Sequence, residues 1–369
     1  MKLFLVVGTR PNFMKLAPLW RELREHGEFE PYVVHTGQHY DYEMSQVFFE
    51  DLELPEPDFY LGVGSGTHAK QTADVMVRLE ELFLNEKPDA VIVFGDVNST
   101  LAAAIVTSKL LIPLHHVEAG VRSFDRTMPE EINRVVTDAL SHILFVPDDF
   151  AVKNLRNEGI DESKIFLVGN IMMDSLVTIL DKIKSREESI LKKYKLTPKE
   201  YGLVTLHRPS NVDLKDTFLK IYDILETIAK DIELVFPIHP RTGKNMKNWG
   251  MEFKHVRVVD PLKYSEFIAL QKNALFVITD SGGVQTESSF LNVPCLTARS
   301  NTEWHITIEK GTNTLVNHDK ELILNLISEI KHGNYKTSDP IPLWDGQTAK
   351  RIGEVLFRES EAESESRKA

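Results

Sequence analysis

The sequence predicts an α/β protein built from two doubly wound, parallel-sheet domains. Three observations carry this. Short, nearly continuous apolar runs alternate with helical patterns, as strands covered by helices on both faces require. The runs fall into two sets of six, parted by a charged helical stretch from about Ile183 to Lys199. Polar clusters stand directly after the runs, where open α/β sheets hold their ligands. No sequence repeat relates the halves, so the symmetry is one of architecture.

The first set of strands is Leu3–Val7, Tyr32–His35, Ala90–Phe94, Ile112–Val117, Ile143–Val146 and Ile165–Val168. The N-terminal run ends at Gly8-Thr9-Arg10-Pro11 rather than at a cleavage site, so it reads as a first strand. The second set is Leu203–Leu206, Leu234–Ile238, Val256–Val259, Leu275–Thr279, Val293–Leu296 and Thr314–Val316. Helical periodicity marks Phe13–His26, Gln71–Leu84, Leu101–Leu111, Phe218–Ile228 and Leu322–Ile330 between them. After the strands come Gly95-Asp96-Val97-Asn98-Ser99-Thr100, Glu118-Ala119-Gly120, His207-Arg208-Pro209-Ser210-Asn211, His239-Pro240-Arg241 and Asp280-Ser281-Gly282-Gly283. Two sheets pointing these ends at one cleft would bring them together.

At 369 residues the chain suits two domains of ordinary size. A hydrophobic fraction of 42% fits a globular protein, and no apolar run approaches a membrane span. The formal net charge of −12 argues against nucleic acid as a partner but leaves room for a small anion held by a few cations. Cys295 is the only cysteine, which rules out an intramolecular disulfide and a multi-cysteine metal site and fits a reducing cytoplasm. The Glu/Ser-rich stretch from Arg358 to Ala369 reads as a frayed tail.

The densest cluster of chemistry is His116-Val117-Glu118-Ala119-Gly120-Val121-Arg122, followed by Pro129-Glu130-Glu131-Ile132-Asn133-Arg134. Two readings stand. Carboxylates at a strand end are candidates for proton transfer; equally, Thr127 and Glu130 spell a capping box at a Pro-led helix start. Thr279 to Glu287 runs from a strand through a glycine turn into a helix. There backbone N–H groups and the helix dipole suit an anion, and Glu287 suits ribose hydroxyls; a Ser-capped helix start is the plain alternative. With Arg10 and His207 on other strand ends, a nucleotide diphosphate is the better reading. Gly8-Thr9-Arg10-Pro11 lacks the ending of a phosphate-binding P-loop. Gly62-Val63-Gly64-Ser65-Gly66 follows a Pro-rich loop rather than a βα turn, so it reads as a mobile loop and NAD is not expected. His115 and His116 would face opposite sides of their strand. No metal site is expected.

Six motifs in order now carry a resemblance: GTRPNFMKLAP (8–18), GDVNST (95–100), HVEAGVRS (116–123), PEEINR (129–134), LHRPSN (206–211) and TDSGGVQTE (279–287). Together they resemble the non-hydrolysing UDP-N-acetylglucosamine 2-epimerases, from Met1 to about Gly353. The resemblance implies the GT-B fold, two Rossmann-like domains with a cleft between them. Residues 1–170 would carry the catalytic carboxylates, 171–345 the UDP site, and 346–358 a C-terminal helix crossing back to the first domain, with 359–369 a disordered tail. It implies no cofactor, a UDP-sugar substrate, a homodimer, and interconversion of UDP-GlcNAc and UDP-ManNAc for surface-polysaccharide synthesis. The route would be elimination of UDP to a 2-acetamidoglucal and re-addition, which needs a base at C2, a stabilised diphosphate and a proton donor on the opposite face.

By motif, Asp96, Glu118, Glu130 and His207 match the family's catalytic residues. Arg10 and Lys15 match its cationic substrate ligands, Ser281, Gly282 and Gly283 its diphosphate turn, and Glu287 its ribose ligand. Phe267 and Leu262 match its uracil contacts, with core packing the rival reading for Phe267 and an exposed lysine the rival for Lys15. The chain departs from many bacterial members at Trp304, where they carry an arginine after Thr-Glu; Arg299 or Arg241 would be the substitute. It also departs at Pro209-Ser210 and at Thr36-Gly37-Gln38-His39-Tyr40-Asp41, so regulation by substrate is not carried over. These departures leave open a 2-epimerase of a modified sugar, such as a diacetamido uronate. A GT-B glycosyltransferase would share the fold and the nucleotide site.

Overall fold

A computed structural model describes residues 1–38 and 52–368, without the side chains of Arg10 and of 363–368. The chain forms two compact units, Met1–Ser175 with Pro342–Ala369, and Leu176–Ile341. Each is built on one wholly parallel sheet.

The first sheet has seven strands in the order β3-β2-β1-β4-β5-β6-β7. They are β1 Lys2–Val7, β2 Glu30–His35, β3 Phe59–Tyr60, β4 Ala90–Phe94, β5 Leu114–Val117, β6 Ile143–Val146 and β7 Ile165–Leu167. The central β4 is buried at all five residues, which is why its sequence is unbroken Ala-Val-Ile-Val-Phe rather than alternating. Each fully buried Val or Ile contributes roughly 1.5–3 kcal/mol. Strand order reverses beside β1 and β4, and the turns that follow β1, β4 and β5 meet at that switch point.

The second sheet has six strands in the order β10-β9-β8-β11-β12-β13. Its strands are β8 Tyr201–Thr205, β9 Glu233–Pro237, β10 Arg257–Val259, β11 Phe276–Thr279, β12 Cys295–Thr297 and β13 Asn313–Leu315. Here β8 and β11 are neighbours, and the turns after them carry His207 and Ser281.

Several expectations need correction. β3 adds a strand the sequence did not announce, because two residues carry no periodicity. The Gly62–Gly66 segment is not loose: Val63 N–H donates to Thr36 O (3.0 Å) and Gly64 N–H to Gly37 O (2.8 Å), and Gln71 Nε2 holds Gly64 O at 3.0 Å. The expected frayed tail is helical, since the closing helix runs Thr348–Lys368; Glu, Ala, Arg and Lys are good helix formers even without an apolar face. That helix belongs to the first unit. Asp174 caps its start by accepting from Thr348 N–H (3.2 Å) and Ala349 N–H (2.8 Å), and Trp344 Nε1 donates to Pro147 O (3.1 Å). Of the motif at 36–41, residues 39–41 lie outside the described residues.

Candidate active site

In the first unit, three strand ends and two helices assemble one ionic cluster. The helix Arg10–Glu25 starts where Asn12 Oδ1 accepts from Gly8 N–H and Thr9 N–H (both 3.1 Å). The same residue's Nδ2 donates to Phe94 O at 2.9 Å, tying the turn after β1 to the end of β4. One turn further, Lys15 is buried, and its Nζ lies 2.5 Å from Glu118 Oε1. Lys15 is therefore not the exposed lysine of the rival reading. Arg10 stands at the first position of this helix, and its side chain lies outside the described residues.

Glu118 sits in the left-handed region, φ +73°, a conformation that is sparsely populated for residues with a Cβ and costs about 1–3 kcal/mol. From there its side chain reaches Lys15. Its other oxygen, Oε2, is buried with no hydrogen-bond partner among the described residues; such orphaned acceptors are rare and point to function. Burial pushes the Glu118 carboxyl above its ordinary range, Lys15 opposes this, and the nearby Asp96 charge adds to the rise. Gly95, at φ +62°, stands against the ion pair: a Cβ there would lie 2.7 Å from Lys15 Nζ and 3.4 Å from Glu118 Oε1, so the ammonium would have to shift.

Asp96 is partly exposed and paired to Arg134 Nη2. The motif neighbours of Asp96 are structural. Thr100 Oγ1 donates to Phe94 O (2.9 Å), Ser99 N–H and hydroxyl donate to Gln38 Oε1, and Asn133 Nδ2 holds Asp96 O at 2.8 Å.

The Pro-Glu-Glu pair divides cleanly. Glu131 is buried and accepts from Ser123 N–H, Ser123 hydroxyl, Phe124 N–H and Arg134 Nη1, all at 2.8–2.9 Å. Glu130 is half-buried on the same first helical turn and, among the described residues, has no side-chain partner. The capping box does not form: Met128 is the cap residue of Pro129–Leu140 and makes no side-chain cap. Thr127 instead donates to Asp125 Oδ1 at 2.6 Å.

The second unit carries the glycine turn that follows β11. Asp280, absent from the sequence-derived candidates, is fully buried after β11. It accepts from His207 N–H (3.1 Å), Arg208 N–H (2.9 Å) and Asn211 Nδ2 (3.0 Å), and its Oδ1 lies 3.2 Å from His207 Nδ1. Burial raises its carboxyl, but these donors and the His207 charge leave it below the usual carboxylate range. The His207 ring, backed by Asp280, is 41% exposed. Ser281 caps Gly282–Phe290 without using its hydroxyl, so that hydroxyl is not committed as the plain reading required. Gly282 faces Glu303 and Trp304: a Cβ there would lie 2.4 Å from Glu303 Oε1 and 3.1 Å from Trp304 Nε1. Gly283 follows in the first turn.

Glu287 is buried, accepts from Tyr264 Oη at 2.8 Å, and is pushed by burial to about 7, the tyrosine bond opposing. Phe267 and Leu262 pack, partly buried, on the cluster that holds Leu191, Tyr201 and Leu270. Of the two arginines named as substitutes at Trp304, Arg299 pairs with Glu303 (2.7 Å) and Arg241 with Asp213 (2.5 Å). Arg208, placed by the sequence at a strand end but given no role there, reaches Glu303 at 3.3 Å and Asp280 O at 3.0 Å. The signals for Asp280 and Arg208 were their places directly after strands; nothing local marked Tyr264 or Glu303. Among the described residues no cluster of three metal-ligating side chains occurs, and no helix is long and apolar enough to cross a membrane.

Residues 21–357 match the family model described as UDP-N-acetylglucosamine 2-epimerase. The chain is 45% identical to a UDP-N-acetylglucosamine 2-epimerase homolog of Methanococcus maripaludis, covering 96% of this chain and 99% of the relative. It is 39% identical to the UDP-2,3-diacetamido-2,3-dideoxy-D-glucuronate 2-epimerase of Pseudomonas aeruginosa, covering 97% and 100%. Among solved structures, the Methanocaldococcus jannaschii UDP-GlcNAc 2-epimerase, crystallised with UDP-GlcNAc and UDP, superposes with a TM-score of 0.89 at 43% identity, covering 97% of this chain and 100% of that one.

Proposed function

The chain belongs to the UDP-N-acetylglucosamine 2-epimerase family, and from that premise we propose that it interconverts UDP-GlcNAc and UDP-ManNAc through a 2-acetamidoglucal. The observation that carries this reading is Glu118: a buried, strained carboxylate with one oxygen on Lys15 and the other without a partner among the described residues. A raised carboxyl of this kind suits proton exchange at an unactivated carbon.

In the forward direction one carboxylate takes the C2 proton, the C1=C2 bond forms, and the C1–O bond breaks with its electron pair leaving on the diphosphate. In return, a diphosphate oxygen adds to C1 while a second carboxylic acid delivers a proton to C2 on the opposite face. Glu118, Asp96 and Glu130 are the proton handlers; Lys15 and Arg10 add positive charge. His207 and the Ser281-Gly282-Gly283 turn hold the departing diphosphate, where N–H donors stabilise developing negative charge. Glu287 accepts from the ribose, and Phe267 and Leu262 meet the uracil. In this reading the enzyme works as a cytoplasmic homodimer and its product supplies surface-polysaccharide synthesis.

The test is incubation with UDP-GlcNAc in deuterated water, followed by NMR. Deuterium at C2 with UDP-ManNAc appearing is the expected result, and unchanged substrate overturns the proposal. The 39% identity to the Pseudomonas enzyme favours one variant reading, a 2,3-diacetamido uronate as the sugar. A parallel incubation with that UDP-sugar separates the two by relative kcat/KM.

A further inference from the structure

Behind the carboxylates lies a buried charge network that the proposed chemistry does not use. Asp138, on the helix Pro129–Leu140, is fully buried, as is His116 on β5. Asp138 Oδ1 lies 2.6 Å from His116 Nδ1, and Oδ2 accepts from Gly120 N–H at 3.0 Å and pairs with Arg122 Nη2 at 2.6 Å. The other ring nitrogen, His116 Nε2, lies 2.8 Å from Gly95 O. Both ring nitrogens thus face oxygen atoms, one on each turn's side of the strand end.

One carboxylate therefore grips two turns. It holds the Glu118–Gly120 turn directly through Gly120 N–H, and the Gly95–Asp96 turn through the His116 ring. Each turn contains a residue in the left-handed region, Glu118 at +73° and Gly95 at +62°. Such conformations persist when the surroundings over-determine them. We infer that Asp138 and His116 are positioning residues that fix the spacing of the Asp96 and Glu118 carboxylates, with Lys15 between Gly95 and Glu118. The inference rests on the epimerase reading above.

The strand supplies its own control. His115 faces the opposite side of β5, is also buried, stacks edge-on to Phe145 at 6.4 Å, and leaves Nδ1 without a partner among the described residues. His115→Phe thus perturbs the same strand without touching the two turns. The experiment compares His116→Leu, His116→Gln, Asp138→Asn and His115→Phe in the full-length enzyme. C2 exchange in deuterated water gives kcat and KM, and calorimetry gives UDP affinity.

His116→Leu is expected to lower kcat at least 30-fold with KM and UDP affinity within two-fold. His116→Gln, which keeps a donor for Gly95 O, should recover at least a third of that loss on a logarithmic scale. His115→Phe should stay within three-fold of wild type. The inference is overturned if His116→Leu keeps kcat within three-fold, or if His115→Phe loses as much. Where His116→Leu fails to bind UDP, Asp138→Asn decides by the same criteria: near-wild-type kcat overturns the role, and a kcat-only loss supports it. Wild-type protein that exchanges no C2 hydrogen sinks the epimerase reading itself, a result distinct from either outcome.

Discussion

Lys15 Nζ lies 2.5 Å from Glu118 Oε1, both side chains almost wholly out of solvent. The pair joins the first helix to the end of β5, and it opposes the burial that drives the Glu118 carboxyl up. Replacing one member of a buried ion pair costs roughly 3–5 kcal/mol unless the survivor neutralises; here Glu118 takes up a proton. In Lys15→Met the carboxyl therefore rises further. A base that must be ionised then works only at higher pH, so the acid limb of kcat/KM for C2 exchange moves to alkaline values. An unmoved acid limb in the variant would show that Lys15 does not tune Glu118.

Glu130 and Glu131 are neighbours with opposite employment. Glu131 holds three donors from Ser123 and Phe124 and one side of Arg134, whereas Glu130 has no side-chain partner among the described residues. Glu131→Gln strands buried donors and an arginine, which costs roughly 3–5 kcal/mol and about 2–4 °C of Tm per kcal/mol for a compact unit of the size that holds it. Glu130→Gln should leave Tm within about 1 °C while lowering kcat by about 100-fold or more, the scale of general acid–base catalysis. Calorimetric melts and C2 exchange on the two variants check the division; equal melting losses would contradict it.

Much of this site was legible because its elements announce themselves locally. Unbroken apolar runs such as Ala90–Phe94 mark strands buried on both faces, and polar clusters directly after them mark ligand positions. Partner choice was not legible, because it is settled across the fold. Thr127-x-x-Glu130 satisfies the capping pattern, yet the chain reverses at Asp125, which takes the Thr127 hydroxyl instead. The link from His116 to Asp138 spans 22 residues, and that between Tyr264 and Glu287 spans 23, distances over which no periodicity operates. Arg299 looked available as a cation until Glu303, four residues on, occupied it.

Glu287 carries the clearest pH dependence. Burial holds its carboxyl at about 7 in the free protein, so the folded state binds a proton that the unfolded chain has released. The sign is that the contribution of Glu287 to stability is fully present below about pH 4.5 and is lost as pH rises through 7, by about 3 kcal/mol in all. Ribose hydroxyls donating to the carboxylate favour its ionised form, so UDP-GlcNAc binding releases protons. Affinity should rise with pH up to about 7 and then level. UDP-GlcNAc is the probe because its diphosphate diester does not titrate in this range. Calorimetry in two buffers of different ionisation enthalpy counts the protons, and Glu287→Gln should bind more weakly and without that release. A release that persists in the Gln variant would place the titrating group elsewhere.

Gly95 tests whether the approach of Lys15 to the strand end matters for chemistry. Its φ of +62° strains any residue with a Cβ, and a Cβ there would press on Lys15 Nζ at 2.7 Å. Gly159 separates the two effects, since its φ is +81° but nothing lies within 4 Å of its Cβ position. Both alanine variants pay the conformational penalty of about 1 kcal/mol. Only Gly95→Ala must also move the ammonium, and with it Glu118. Gly95→Ala should lower C2 exchange by about 100-fold at unchanged UDP affinity, because the turn proposed to hold the diphosphate belongs to the other unit. Gly159→Ala should lose the same 1 kcal/mol in denaturant melts and keep its rate. If the two variants lose activity equally, backbone strain alone is responsible, and the closeness of Lys15 to Gly95 carries no weight in the reaction.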